Sequence, residues 1–325
     1  MSPSSGRTRC QPGYPAGGRS PLPHAAAITA SAGTSAGSAT SISSASHVRA
    51  KTLAEALPYI REFSGKTVVV KYGGSAMDDP ALADTFAEDV VLMRLVGMNP
   101  VVVHGGGPHI SDLMRRLGKE PTFVDGLRVT DAETVDIVRM ALVGKVNREV
   151  VASINRHGSY AVGLSGEDAG LITARPRDER LGFVGDVAHI NPAIVERLLR
   201  EELIPVVATV GVDADGQAYN VNADAVASAI AAALHSEKLV YLTNVPGLLR
   251  DVSDEESLVS RIDVAGLEAL VDGGSLSKGM IPKVASCVAA VKGGVTRAHI
   301  LDGRVPHVLL LELFTREGIG TMVVA

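Results

Sequence analysis

The chain has no tryptophan, five phenylalanines and six tyrosines, so aromatic residues make up only 3% of its 325 positions. That leaves few flat faces for stacking bases, and a net charge of −5 provides no basic surface for a phosphate backbone. No nucleic-acid partner is expected. No apolar run approaches the ~20 residues that a bilayer helix needs, so no membrane partner is expected either. Cysteine is nearly absent: Cys10 sits in a polar stretch and Cys287 in an apolar helical pattern, which offers no disulfide framework and suits a reducing compartment. Acidic residues are missing from the start, with none before Glu55, while Ser, Ala, Gly and Pro dominate residues 1–46. Such a stretch buries too little apolar surface to order itself and is expected to be a disordered extension. Its acid-poor, Ser-rich, Arg-containing composition fits a transit peptide, a plain tail or a start codon set upstream of the true one. The expected location is cytoplasmic, or the plastid stroma if the extension is a transit peptide.

Both common nucleotide fingerprints are missing too. Gly105-Gly106-Gly107-Pro108-His109-Ile110 lacks the last glycine of G-x-G-x-x-G, and neither Gly144-Lys145-Val146 nor Lys278-Gly279 completes G-x-x-x-x-G-K-[ST]. What is present is a hydrophobic content of 46%, enough for one large core or two lobes. From Gly65 onward strand and helix patterns alternate. Strands are expected at 67–72, 100–104, 162–165, 205–210, 238–244 and 297–301. Helices are expected at 80–96, 108–117, 131–142, 146–155, 192–202, 224–234, 263–271 and 279–291. This order implies an α/β fold, a three-layer αβα sandwich around a mainly parallel sheet, with ligands beyond the carboxyl ends of the strands. Before it, residues 47–64 read as a helix with Leu53, Leu57, Ile60 and Phe63 near one face, kinked or broken by Pro58. It either packs on its own core or joins subunits as an exchanged arm.

Two of the β-branched runs stop at glycines that bare the backbone, in Lys71-Tyr72-Gly73-Gly74 and in His104-Gly105-Gly106-Gly107. Unpaired N–H groups and the helix starts behind them form an anion site. Lys71 ends an apolar strand, where a buried cation is costly unless an anion answers it, although a strand-end lysine can also reach out to solvent. Lys283 lies one turn into a helix and, taken alone, reads equally as a surface charge. Asp224 in Asn220-Val221-Asn222-Ala223-Asp224 can be a site acid or an ordinary first-turn acid favoured by the helix dipole. Arg128 has the planar fork that grips a carboxylate. His104 is read as a loop hydrogen-bonding residue without a catalytic role. Two glycine turns with two separated lysines point to phosphoryl transfer.

Lys71-Tyr72-Gly73-Gly74, His104-Gly105-Gly106-Gly107-Pro108, Gly126-Leu127-Arg128-Val129-Thr130, Asn220-Val221-Asn222-Ala223-Asp224 and Gly279-Met280-Ile281-Pro282-Lys283 together resemble the acetylglutamate kinase branch of the amino acid kinase family. The likeness covers residues 48–325. It implies ATP-dependent phosphorylation of the side-chain carboxylate of N-acetyl-L-glutamate, with Mg²⁺ arriving on the ATP and no dedicated metal site. By the resemblance, Lys71 and Lys283 stabilise the transition state and Asp224 holds them. Gly106, Gly107, Arg128 and Asn220 bind the acid, while Gly73, Gly74, Asn244, Gly247 and Leu249 bind phosphate or nucleotide, together with the region of Ser275 to Ser277. Asn244 stands where many relatives have Asp, which removes a charge there. The implied lobes are 65–236 for acetylglutamate and 237–325 for nucleotide. The helix at 47–64 and the pattern His299, Glu312, Gly318 resemble the arginine-inhibited branch, which implies L-arginine as inhibitor and a homo-oligomer, dimer or hexamer. A PII-type signalling protein becomes a partner to consider if the chain is plastidic.

Overall fold

Runs such as Val68-Val69-Val70 and Val101-Val102-Val103 favour extended backbone and carry no polar side chain, which suits strands buried on both faces. In a computed structural model of the chain, Thr67–Tyr72 and Asn99–His104 pair in parallel near the centre of an eight-stranded sheet. The structure describes residues 44–251, 254–274, 276, 279–315 and 318–325. The expected extension at 1–46 thus falls almost wholly outside the described residues, as do Ser275 and Ser277. Arg49–Ala325 forms one compact unit.

Across the sheet the order is Arg261–Asp263, Thr321–Val324, Arg297–Asp302, Lys238–Thr243, Thr67–Tyr72, Asn99–His104, Ile204–Ala208 and Ala161–Ser165. Every pairing is parallel except that between Arg297–Asp302 and Thr321–Val324. Alternate residues feed two cores. Val69, Val101, Val103, Val207 and Tyr241 pack with Val226, Ile230, Val284 and Cys287 of the helices Ala223–Ala233 and Ile281–Lys292. Val68, Val70, Val102, Val206 and Val240 pack with Phe86, Val90 and Met93 of Pro80–Leu95 and with Ile154 of Asn147–Asn155. Each such buried valine contributes about 1.5–3 kcal/mol relative to exposure, and the two cores give the expected three layers.

Three features depart from the sequence expectations, the first being the edge strands Arg261–Asp263 and Thr321–Val324, which are too short to leave a pattern. The helices expected at 131–142 and 146–155 are one continuous run, Ala132–Arg139, then π-helical Met140–Val146, then Asn147–Asn155. Gly144 does not break it, because burial of Ala141, Leu142 and Val146 outweighs the ~1 kcal/mol that a mid-helix glycine costs. The strand expected at 205–210 ends at Ala208, and Val210–Val212 instead joins Ile172–Pro176, Val184–Ile190 and Ala218–Val221 in a small closed sheet. Gly185 in that sheet faces Tyr219, where a Cβ would come within 2.8 Å of the tyrosine Cβ. The first helix, Ser44–Phe63, runs through Pro58. Among the described residues, no helix is long and apolar enough to cross a membrane.

Candidate active site

Three helices start beside the carboxyl ends of the central strands, and each start follows from local sequence. Gly107–Arg116 opens after Gly106 with Pro108 in its first turn, where a missing N–H costs nothing. Ala223–Ala233 is capped by Asn222, whose Oδ1 accepts the backbone N–H of Asp224 at 2.9 Å and of Ala225 at 3.1 Å. Ile281–Lys292 opens with Pro282 in its first turn. Helix N-termini carry partial positive charge and free N–H groups, so a region bordered by three of them favours anions.

Asp224, only 6% exposed, lies between two cations from different parts of the chain. Its Oδ1 is 3.1 Å from the Nζ of Lys71 and its Oδ2 accepts a hydrogen bond from Lys283 Nζ at 3.1 Å. Burial alone pushes the Asp224 carboxyl up, yet Lys71 and Lys283 together overcome it and hold the group below its ordinary value. The carboxylate is therefore charged at neutral pH, and the cluster carries one net positive charge. Gly73 leaves room for this cluster, since a Cβ there would stand 3.0 Å from Lys71 Nζ. Gly74 adopts φ +74° and turns the chain against Asn244, whose Oδ1 would collide with any Cβ at 74.

Two cavities meet at Lys71 and Gly74. One, of about 290 Å³, is lined by Gly105, Gly106, Gly107, Arg128, Asn220 and Asp224. The other, of about 350 Å³, is lined by Thr243, Asn244, Gly279, Met280 and Lys283. In the first, Arg128 is set by a two-strand hairpin, Phe123–Val124 and Leu127–Arg128, whose turn residues Asp125 and Gly126 have φ of 50° and 78°. Positive φ at both positions is the tight hairpin turn that Asp-Gly favours. The guanidinium donates from Nη2 to the Gly107 carbonyl at 2.9 Å and to Ser111 Oγ at 2.8 Å, and lies 4.8 Å from the Phe123 ring centre. Burial, then Arg115, lowers the Arg128 pKa, and it remains a cation. Asn220 donates from Nδ2 to Thr130 Oγ1 at 3.4 Å.

Among the other walls of the first cavity, the sequence missed Met77, Phe123, Leu142, Arg177, Val184, Gly185 and Thr209. Arg177 pairs with Asp186 at 2.7 Å, and nothing in Arg175-Pro176-Arg177 marks it as a site residue. Gly247 and Leu249 line neither cavity. Gly247 instead packs against Leu258 and Thr321, and Leu249 bridges Leu258. His104 lies under the glycine loop, fully buried. Its Nδ1 is 2.9 Å from the Gly105 carbonyl oxygen and its Nε2 is 3.0 Å from Asn147 Nδ2. Burial lowers its pKa to about 4, so it is neutral at neutral pH.

A third cluster brings together the remaining expected residues. Glu312 Oε1 is 2.9 Å from His299 Nδ1 and 3.6 Å from Lys238 Nζ, and Oε2 accepts the Ile319 N–H at 3.0 Å. Gly318 abuts that carboxylate, at 3.2 Å from a would-be Cβ. Burial pushes Glu312 up, but His299, the Ile319 N–H and Lys238 hold it below the usual range. Burial lowers the His299 pKa. A cavity of about 490 Å³ opens beside them, lined also by Tyr59, Glu62, Phe63 and Arg297.

The chain belongs to the amino acid kinase family, whose model matches residues 66–302. Within it, the chain is similar to acetylglutamate kinases: 53% identical over 278 residues to that of Syntrophomonas wolfei subsp. wolfei and 55% identical over 285 to that of Symbiobacterium thermophilum, each alignment spanning 85% of this chain and 97% of the relative. Among solved structures it resembles the N-acetylglutamate synthase of Neisseria gonorrhoeae complexed with coenzyme A and N-acetyl-glutamate, with a TM-score of 0.74 and 29% identity. That match covers 85% of this chain and spans 63% of the synthase. The carbamate kinase of Giardia lamblia bound to AMP-PNP shares the fold, at a TM-score of 0.62 and 15% identity, over 80% of this chain and 98% of that one.

Proposed function

We propose that this protein transfers the γ-phosphoryl group of ATP to the side-chain carboxylate of N-acetyl-L-glutamate, forming N-acetyl-L-glutamyl 5-phosphate in arginine biosynthesis. The observation that carries the reading is the meeting of two cavities at Lys71, with Asp224 holding Lys71 and Lys283 at 3.1 Å each. The names of relatives 53–55% identical over nearly their whole length support it.

The chemistry suits these residues. A side-chain carboxylate has a pKa of about 4 and is already an ionised nucleophile, so no general base is needed. Its oxygen bonds to the γ-phosphorus while the bond to the bridging β,γ-oxygen breaks, and ADP leaves with that electron pair. Two anions must approach, and the moving group spreads charge over its oxygens, so positioned cations and N–H donors supply the catalysis. Lys71 and Lys283 offset that charge, Asp224 keeps both ammonium groups in place, and Gly73, Gly74, Gly106 and Gly107 offer backbone N–H groups. Arg128 and Asn220 take the α-carboxylate end in the first cavity, within residues 65–236. The second cavity, mostly within 237–325, takes the nucleotide. Its ammonium, amide and hydroxyl groups suit phosphate oxygens, and Mg²⁺ would be held by those phosphates and water.

The cluster of His299, Glu312 and Gly318 is read as a site for L-arginine, whose guanidinium would pair with Glu312. One relative by fold, the same Neisseria synthase, has been solved with coenzyme A and L-arginine, at 27% identity and a TM-score of 0.71. A cytoplasmic homo-oligomer completes the proposal. Hydroxylamine trapping of acyl phosphate, with ATP and either N-acetylglutamate, glutamate, aspartate or acetylaminoadipate, tests it with and without millimolar arginine. Product from N-acetylglutamate alone, absent with Lys71→Ala and reduced by arginine, is expected. Preference for acetylaminoadipate would reassign the substrate, no turnover by folded protein would overturn the kinase reading, and indifference to arginine would remove the inhibitor.

A further inference from the structure

Asn147 is wholly buried at the junction where the π-helical Met140–Val146 returns to α-helix, and its side chain spans two structures. Its Nδ2 is 2.9 Å from the Val206 carbonyl oxygen and 3.0 Å from His104 Nε2. A carbonyl accepts only, so the group facing it is the amide NH₂, and His104 Nε2 must then be the acceptor. The His104 proton therefore sits on Nδ1, where it is donated to the Gly105 carbonyl at 2.9 Å. In a planar trans peptide the C=O and the following N–H point in opposite directions. Fixing the Gly105 carbonyl on the histidine side thus turns the Gly106 N–H away from it, and Gly106 lines the 290 Å³ cavity. The same helix braces Gly106 again, since a Cβ there would meet Leu142 Cδ2 at 2.7 Å and Val146 Cγ2 at 3.3 Å. The chain also makes room for this arrangement at Gly163, where any side chain would collide with Asn147 Oδ1 and with Arg148, which donates to that oxygen.

We propose that Asn147 is a positioning residue for phosphoryl transfer: through a fixed His104 tautomer it aims the Gly106 N–H at the reacting oxygens. The aiming role rests on the kinase reading above, whereas the tautomer does not. The π segment fits this register: Leu142 and Val146 within it face Gly106, while Asn147, the residue after it, reaches His104 and Val206. Asn147 itself carries no charge; the titratable and charged groups that act on His104 are Arg148 and His109, both disfavouring a second proton, in line with its burial.

Two measurements on the full chain test this. In protein carrying ¹⁵N-histidine, the His104 ring, assigned through His104→Gln, is expected to show a protonated Nδ1 and a bare Nε2 from pH 5.5 to 8. In Asn147→Asp the carboxylate beside Nε2 should draw a proton there, and the ring should titrate within that range. For the reaction, Asn147→Ala is expected to lower kcat by about ten- to a hundredfold, as for a donor misplaced by about 1 Å. KM for ATP should stay within about twofold, because Asn147 does not reach the nucleotide cavity. Asn147→Asp should give a kcat that varies with pH as the ring titrates. A purely structural asparagine would lower melting temperature and active fraction together and leave the pH profile unchanged. An Nε2–H tautomer in the parent protein, or unchanged kcat in Asn147→Ala, overturns the proposal. If the parent forms no acyl phosphate, the kinase reading fails instead, and the ring spectrum still decides whether Asn147 sets the tautomer.

Discussion

Asp224 shows how one side chain can hold two others in a conformation neither would keep alone. Lys71 and Lys283 would repel each other across the space between the cavities, and each has a long stem free to swing towards water. The carboxylate between them, 3.1 Å from both, replaces that repulsion with two attractions in a site where water screens little. Asp224→Asn keeps the shape and removes the charge. One of the two ammonium groups should then leave, and kcat should fall by about 10²- to 10³-fold, the scale seen on losing one preorganised donor. Steady-state kinetics with ATP and N-acetylglutamate would show it. A variant within about threefold of the parent would mean that the lysines hold their places unaided.

At the scale of elements, the uniform β-branched runs and the glycines that end them were legible, because a strand buried on both faces leaves a nearly continuous apolar signature. The small closed sheet was not: Gly185, Asp186 and Gly211 interrupt the alternation, and the pairing of Ile172–Pro176 with Val184–Ile190 shifts register between Thr173 and Ala174, leaving Ala188 of the second strand without a partner in the ladder. The π segment was hidden for a related reason, since Gly144 reads as a break and only tertiary burial overrides it. Lys71, Asp224 and Lys283 were legible one by one, and their meeting only through the family resemblance, since it depends on strand order; Asn147 has no local signal because its partners lie 43 and 59 positions away. Equally invisible was the clip between Pro80–Leu95 and the helix Val308–Phe314. There buried Asp89 is 2.7 Å from His307 Nδ1 and accepts the Leu309 N–H, while His307 sits at φ +54°. Burial, opposed by His307, raises the Asp89 pKa from an ordinary 3.8 to about 6. With the folded pKa above the unfolded one, the native state holds the proton more tightly. Stability from this group is complete below pH ~4 and is lost as pH rises through about 6, by up to ~3 kcal/mol. Asp89→Asn keeps an uncharged group there at every pH. The melting temperature of the variant minus that of the parent should therefore increase between pH 4.5 and 7.5, and parallel curves would show that Asp89 ionises freely.

For the molecule as a whole, the first helix poses the question of what surrounds it. Leu53 and Leu57, 72% and 54% exposed, lie one turn apart and present an apolar stripe, while further along Phe63 is buried beneath Lys238, whose ammonium is 4.7 Å from its ring centre. One end of the helix is thus tied to the core and the other offers leucines to solvent, and it is this stripe that the proposed homo-oligomer would cover. Burying the surface these two leucines still expose would contribute about 2–4 kcal/mol per copy. Tyr59, Glu62 and Phe63 of the same helix line the 490 Å³ cavity beside Glu312, so a contact between copies and an effector would act on one element. The double variant Leu53→Glu, Leu57→Glu leaves those lining residues in place and sets like charges face to face across the stripe. Sedimentation velocity should show the parent as a larger homo-oligomer, a hexamer if three dimers are linked, and the variant as a dimer with an unchanged circular dichroism spectrum. Equal sedimentation of the two proteins would mean that this helix carries no contact between copies and that any larger assembly is built elsewhere.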